Sequence, residues 1–373
     1  MRTIIQNGTI VSDTAAFRAD LLLEDGVVKA VGAGLSAPDA QVIDASGKYV
    51  LPGAVDVHTH MDLQAGAHRA VDDFYTGTVA AANYAAWQKI CVNMDTICDN
   101  KPVDTRFDFF GQTCELPVLA APVGAVKLHY GDKFTDEEYN RILVPACAEA
   151  GIAAFTGDGT DPEVFRAAAA AIGAAGGRGV PTIKPWDRQT LFAKLDEAKA
   201  AGAKVFAMDI DAAGLPFLKG LNPPAGPKTV EELREIIDYA GVPFILKGIM
   251  TVKGAEKALE AGAAGIVVSN HGGRVQDGVP ATAQVLPAIA KAVKGRMMVL
   301  VDGGIRSGLD VFRALALGAD AVLLARPYVT AVYGGGAEGV ALLTNKLKSE
   351  LQDTMAMCGV HSLAEIGPEL LWQ

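Results

Sequence analysis

Four short apolar runs in the second half of the chain each end in residues able to do chemistry. Phe244-Ile245-Leu246 closes on Lys247-Gly248, and Gly265-Ile266-Val267-Val268 on Ser269-Asn270-His271-Gly272-Gly273-Arg274. Met297-Met298-Val299-Leu300-Val301 closes on Asp302-Gly303-Gly304-Ile305-Arg306, and Ala321-Val322-Leu323-Leu324 on Ala325-Arg326-Pro327. Histidine ionises near neutral pH and suits a general base. Arginine offers two parallel donors to a carboxylate. A lysine ending an apolar strand needs an anionic partner, because a buried ammonium is costly alone. Glycine turns followed by arginines, just before helix-length segments, suit phosphate. Each residue also has a structural reading: a packed histidine for His271, a surface or subunit salt bridge for Arg274, an internal ion pair for Lys247.

The elements that must position these residues are parallel strands, because helix-length segments separate the four runs. Upstream, Val118-Leu119-Ala120, Ile152-Ala153-Ala154-Phe155, Pro181-Thr182-Ile183 and Val205-Phe206-Ala207-Met208 complete a set of eight strands from Pro117 onward. Eight such units close a TIM (β/α)8 barrel, whose function sits at the strand C-termini. Intervening segments carry helix caps, such as Thr135 before Glu138 and Thr229 before Glu232. Apolar spacing predicts a further helix from Tyr84 to Cys98.

Lysine-glycine, Ser-Asn-His-Gly-Gly-Arg and Asp-Gly-Gly-Ile-Arg, in this order on successive strands, resemble the FMN-dependent α-hydroxy acid oxidase and dehydrogenase family. The likeness covers residues 83–373. It implies FMN as cofactor and oxidation of a small L-α-hydroxy acid, such as lactate or glycolate, to the 2-keto acid by an electron acceptor left open. His271 is then the base, Arg274 the partner of the substrate carboxylate, and Lys247 the cation beside the flavin N1/C2 edge. The resemblance also implies backbone of Pro122, Val123 and Gly124 beside the flavin, with Lys184, Ser269 and Gly272 near it. Asp302 then meets the ribityl chain, Gly304, Arg306 and Arg326 the phosphate, and Gly303 and Ala325 also bind the cofactor. Two departures stand out. Lys184-Pro185-Trp186 replaces a glutamine-led segment and adds a positive charge. The fourth strand, ending Met208-Asp209-Ile210-Asp211, and its short Leu221-Asn222-Pro223-Pro224 loop lack the usual second arginine.

Residues 1–82 read differently. Short apolar runs separated by Asn7-Gly8, Asp25-Gly26 and Ser46-Gly47 predict a small antiparallel β unit. It leads into Val55-Asp56-Val57-His58-Thr59-His60, which resembles the start of a dihydropyrimidinase-type amidohydrolase. His58 and His60 share one strand face and could ligate a metal. The rest of such a site is missing, since the other histidines are His68, His129, His271 and His361, and a catalytic zinc needs three or four protein ligands. No metal is therefore expected. The chain is expected to divide into residues 1–82, vestigial or fused, and a barrel of residues 83–373; natural fusion, gene-model error and constructed chimera all fit.

A net charge of −10 disfavours nucleic-acid binding. No apolar run approaches the roughly 18 residues of a membrane span, and Met1-Arg2 leads straight into a strand pattern, so a cytoplasmic home is expected. Five cysteines without a CxxC pair read as free thiols. A homo-oligomer is an expectation from the family alone. The competing functions are another FMN barrel, such as type 2 isopentenyl diphosphate isomerase, and a metal-dependent cyclic amidohydrolase.

Overall fold

The structure is a computed structural model, and it describes residues 2–11, 16–25, 27–50, 64–65, 68–69, 74–215, 218 and 225–372. The chain divides into two compact units, Met1–Thr59 and His60–Gln373. His58, His60 and the Leu221-Asn222-Pro223-Pro224 loop lie outside the described residues.

The first unit holds β1 (Arg2–Gln6), β2 (Thr9–Val11), β3 (Ala16–Arg18), β4 (Asp20–Glu24), β5 (Val27–Gly32), β6 (Gln41–Asp44) and β7 (Tyr49–Val50). They form sheets ordered β5-β4-β1-β6 and β3-β2-β7. The unit is mixed, not purely antiparallel as expected: β6 pairs parallel with β1, and β7 with β2. The turn signals set the antiparallel β4–β5 pairing, but the segment after β5 returns the chain to β1 in the same direction. Asp20 is buried and pins two loops, accepting from the Asn7 and Leu35 amides at 3.0 and 3.1 Å.

The second unit opens with β8 (Gln64–Ala65), β9 (His68–Arg69) and α1 (Phe74–Gln88), followed by the hairpin β10 (Phe107–Phe109) and β11 (Gln112–Cys114). The barrel follows as β12 (Val118–Ala120), α2 (Val126–Tyr130), α3 (Asp136–Glu149), β13 (Phe155–Thr156), α4 (Pro162–Ala174), β14 (Val180–Ile183), α5 (Arg188–Ala200), β15 (Phe206–Asp209) and α6 (Val230–Ala240). It continues through β16 (Phe244–Ile249), α7 (Val252–Glu260), β17 (Gly265–Val268), α8 (Thr282–Val293), β18 (Met298–Val301), α9 (Gly308–Ala316), β19 (Ala321–Leu324) and α10 (Arg326–Met357). All eight barrel strands run parallel in the order β12-β19-β18-β17-β16-β15-β14-β13. A parallel bridge between Ala120 and Ala154 closes the ring, giving the TIM barrel read from the strand count.

Packing follows the period of two. Leu119, Phe155, Val180, Ala207, Ile245 and Val267 form one buried cluster inside the barrel, while alternate residues such as Val118, Phe206, Leu246 and Ile266 pack against the helices. Phe109 of the β10–β11 hairpin joins the inner cluster, its ring 6.1 Å from that of Phe155. This closes the end where the strands begin and leaves chemistry to the other.

The predicted helix from Tyr84 to Cys98 is instead α1, which ends at Gln88. Tertiary pairing overrides the apolar spacing after it: Val92 bridges Leu371, and the Asn93 amide donates to the Leu370 carbonyl at 2.8 Å. The expected junction at 82/83 falls inside α1. That helix packs into the barrel, with Asn83 and Trp87 fully buried. Trp87 Nε1 donates to the Gly303 carbonyl at 2.8 Å.

Two features of the barrel rim carry predictions. Gly304 has φ +82°, and a Cβ there would lie 2.5 Å from the Asn83 carbonyl carbon and the Tyr84 nitrogen. Gly304→Ala should therefore cost about 2 kcal/mol or more, read as a lower urea midpoint; an unchanged midpoint contradicts the packing of α1 described. Asp158 is a buried hub: it accepts from the Lys184 amide at 3.0 Å, Trp186 Nε1 at 2.7 Å and Lys194 Nζ at 2.8 Å. Asp158→Ala would strand a largely buried ammonium, a loss on the order of 3–5 kcal/mol, whereas a loss under about 1 kcal/mol would mean that the hub contributes little.

Candidate active site

The same period of two that fills the barrel with apolar side chains aims its last inward positions at the open end. Lys184 lies four residues after Val180 on β14, Asp209 two after Ala207 on β15, Lys247 two after Ile245 on β16, Ser269 two after Val267 after β17, and Asp302 two after Leu300 after β18. All five are buried, at no more than 9% exposure. An apolar barrel interior thus ends in a layer of charge.

The charges are paired between strand ends, neighbouring for Lys184 and Asp209 and two strands apart for Lys247 and Asp302. Lys184 Nζ donates to Asp209 Oδ2 at 3.2 Å, and Lys247 Nζ lies 3.7 Å from Asp302 Oδ2. At an effective dielectric near 20 such pairs attract by about 5 kcal/mol, which only offsets a desolvation cost of several kcal/mol per ion. The layer is therefore retained at no gain in stability, as functional sites often are. Burial opposes the charge of Lys247, yet Asp211, Asp302 and Asp209 outweigh it and hold its pKa above the usual lysine value. Burial pushes the Asp209 and Asp302 carboxyls up, with Lys184 and Lys247 respectively pulling them back.

His271 sits in the turn after β17 with φ +55°, a region unusual for any residue other than glycine. Its amide donates to Ser269 Oγ at 3.1 Å, and Nδ1 lies 3.1 Å from both oxygens of Asp211. With Nδ1–H given to that carboxylate, Nε2 is left as the basic nitrogen. Burial disfavours the Asp211 charge, but His271 and Lys247 overcome this and hold its carboxyl below the usual range. Arg274, half-buried, closes the same turn, and its charge is felt at Lys247. The turn is fixed from behind by a reciprocal amide pair: Asn83 Nδ2 donates to Asn270 Oδ1 at 2.9 Å, and Asn270 Nδ2 to Asn83 Oδ1 at 3.0 Å.

The glycines divide by role. A Cβ on Gly272 would meet nothing within 4 Å, whereas one on Gly273 would meet Val79 at 2.6 Å and one on Gly303 would meet Asn83 at 2.9 Å. Gly272 alone of these borders open space; Gly273, Gly303 and Gly304 are required by α1. Likewise Gly124 is held against Gly157, where a Cβ would sit 2.3 Å from the Gly124 nitrogen, which fixes the Pro122-Val123-Gly124 turn at the end of β12.

The seventh helix departs from expectation. The amides of Arg306 and Ser307 donate to Asp310 Oδ2 at 3.0 and 3.2 Å, and that of Gly308 to Glu350 Oε2 at 2.8 Å. Those donors at the start of α9 are already used, so they are not a phosphate cradle. Helix α10 begins at Arg326 with Ala325 as its N-cap and no side-chain cap, which leaves the eighth loop with Arg326 and Arg306 as the better anion site.

Sequence reasoning missed Asp209 and Asp211 as site residues and gave Lys184 an uncompensated charge. The signal was present in the alternation Val205, Ala207, Asp209, which puts a carboxylate in phase with the inner layer. Burial without partners marks Asp209 Oδ1 and Thr182 Oγ1, neither of which has a hydrogen-bond partner within the described protein. Such atoms, an uncapped helix start and the open Gly272 suit a flat polar ligand bearing a phosphate. Among the described residues no group of three or more His, Cys, Asp or Glu is disposed to hold a metal ion, and no helix is long and apolar enough to cross a membrane.

The chain is similar to known proteins. The chain matches the FMN-dependent dehydrogenase family over residues 69–217 and 221–373. It is 46% identical over 144 residues to a 2-hydroxyacid oxidase of Dictyostelium discoideum, an alignment covering 39% of this chain and 37% of that protein. It is 51% identical over 144 residues to an L-lactate dehydrogenase of Xanthomonas campestris pv. campestris, covering 39% and 36%. The matches thus span little more than a third of those relatives' lengths. Among solved structures, a mandelate oxidase variant carrying an FMN adduct is 32% identical with a TM-score of 0.66, covering 80% of this chain and 91% of that one. A lactate oxidase of Pediococcus acidilactici is 30% identical with a TM-score of 0.67, covering 77% and 84%. With an eight-stranded parallel barrel and a family match over most of its length, the chain belongs to the FMN-dependent dehydrogenase family.

Proposed function

We propose that this chain binds FMN at the charged end of its barrel and oxidises a small L-α-hydroxy acid to the 2-keto acid. The observation that carries the reading is the His271–Asp211 pair, at 3.1 Å, set one strand from the buried Lys247. FMN, when bound, supplies the two-electron acceptor. His271 takes a proton from the substrate through Nε2, and Asp211 holds the ring in that tautomer and stabilises the imidazolium that results. Arg274 pairs with the substrate carboxylate. Lys247, held cationic by three carboxylates, faces negative charge that grows as electrons arrive, the task preplaced cations perform best.

The remaining assignments follow the same fit. Backbone at Pro122, Val123 and Gly124, together with Ser269, Gly272 and Lys184, would hold the flavin ring. Asp302 would hold the ribityl chain, and Arg306, Arg326, Ala325 and the Gly303-Gly304 turn would hold the phosphate. The protein acts in the cytoplasm as a homo-oligomer, and its first unit, Met1–Thr59, is an appended segment outside the reaction.

His271→Ala should retain bound flavin yet lose its anaerobic reduction by substrate on the order of 10³-fold or more, the scale of a lost general base; reduction at near-normal rate would remove His271 from the mechanism. A chain starting at His60 should bind FMN as the full chain does. One starting at Asn83, which cuts α1 and loses Val79 from Gly273, should melt lower. Equal melting of the two would mean that α1 does not brace the site.

A further inference from the structure

We propose that Asp209 is the proton acceptor that makes room for an anionic substrate in this site: binding of a carboxylate draws one proton from solution onto Asp209 and frees Lys184 to face the anion. The inference rests on the anion-binding site proposed above. It begins from a charge count among the described residues. Lys184, Lys247 and Arg274 stand against Asp209, Asp211 and Asp302, with His271 as the titratable group between them. The site is balanced before any ligand arrives. A bound carboxylate would leave excess negative charge in a buried layer, where uncompensated charge is expensive and groups change protonation instead.

Which carboxylate takes the proton is decided by partners. Asp211 receives His271 through both oxygens at 3.1 Å. Asp302 is met by Lys247 at 3.7 Å and by the hydroxyl of Ser269. Asp209 has one partner, Lys184 at 3.2 Å from Oδ2, and its buried Oδ1 has none within the described protein. It is the carboxylate least served by donors and so the one that loses least on becoming neutral. The groups facing it from each neighbouring element are Lys184 on β14, Lys247 on β16, Asp211 just beyond its own strand and His271 after β17. Burial already pushes its carboxyl up. Once Asp209 is neutral, Lys184 supplies the second cation that the chain lacks as an arginine, and the backbone of Lys184 is fixed by Asp158 at 3.0 Å.

The test is calorimetric titration of the FMN-loaded protein with 2-hydroxy-2-methylpropanoate, a hydroxy acid with no α-hydrogen to lose. Running it in two buffers of different ionisation heat gives the protons taken up per ligand. Uptake by the wild type should exceed that of Asp209→Asn by up to one proton, and wild-type affinity should fall by up to tenfold per pH unit more steeply than the variant's as pH rises. Lys184→Gln removes the cation that keeps Asp209 ionised, so it too should lose the uptake; it keeps the test open if Asp209→Asn fails to fold. Equal uptake in wild type and variants, with binding intact, overturns the role of Asp209 alone. No binding of the probe by FMN-loaded wild type overturns the hydroxy-acid reading and this inference with it.

Discussion

The rest of the site depends on a layer of buried charge set on top of an apolar barrel. Strand alternation forces Lys184, Asp209, Lys247, Ser269 and Asp302 to point inward, which brings Lys184 beside Asp209 on the neighbouring strand and Lys247 near Asp302 two strands away. Coulomb attraction and desolvation nearly cancel there, so the layer adds little to folding. In the proposed reaction its value is that the cations are fixed before any electron arrives. Preorganisation of that kind is more effective than a flexible charge recruited from solvent.

The surrounding structure holds this layer still. Helix α1 braces the loops after β17 and β18 through Asn83 and Trp87, and the glycines in those loops are glycines because the helix backbone leaves no room for a Cβ. Asp158 anchors the end of β14 in the same way. The positive φ of His271 is stored strain, tolerated because Ser269, Asn270 and Asp211 determine the turn from three sides. The left-handed turn turns the imidazole toward Asp211 instead of continuing the strand.

Much of this was legible in the sequence because strand ends carry both a local pattern and a chemical type. Lys247, His271, Arg274 and Asp302 follow apolar runs whose length and period leave one geometry open to them. What the sequence concealed was pairing between strands distant in the chain. Lys184 read as an extra positive charge until Asp209 was found beside it, and the start of α9 read as an anion site until Asp310 and Glu350 were seen to occupy its amides. The stretch after Gln88 had helical spacing, but the C-terminal segment claims its backbone. In the first unit the hairpin signals were correct for β4 and β5, while the parallel return of β6 has no local signature.

The most direct test of the account is the visible spectrum of the purified protein, supplied with FMN and then mixed anaerobically with lactate or glycolate. The account predicts flavin absorption bands that bleach when the hydroxy acid is added. Bands that persist with both acids would contradict the proposed substrate class, and a protein that takes up no FMN would contradict the site itself.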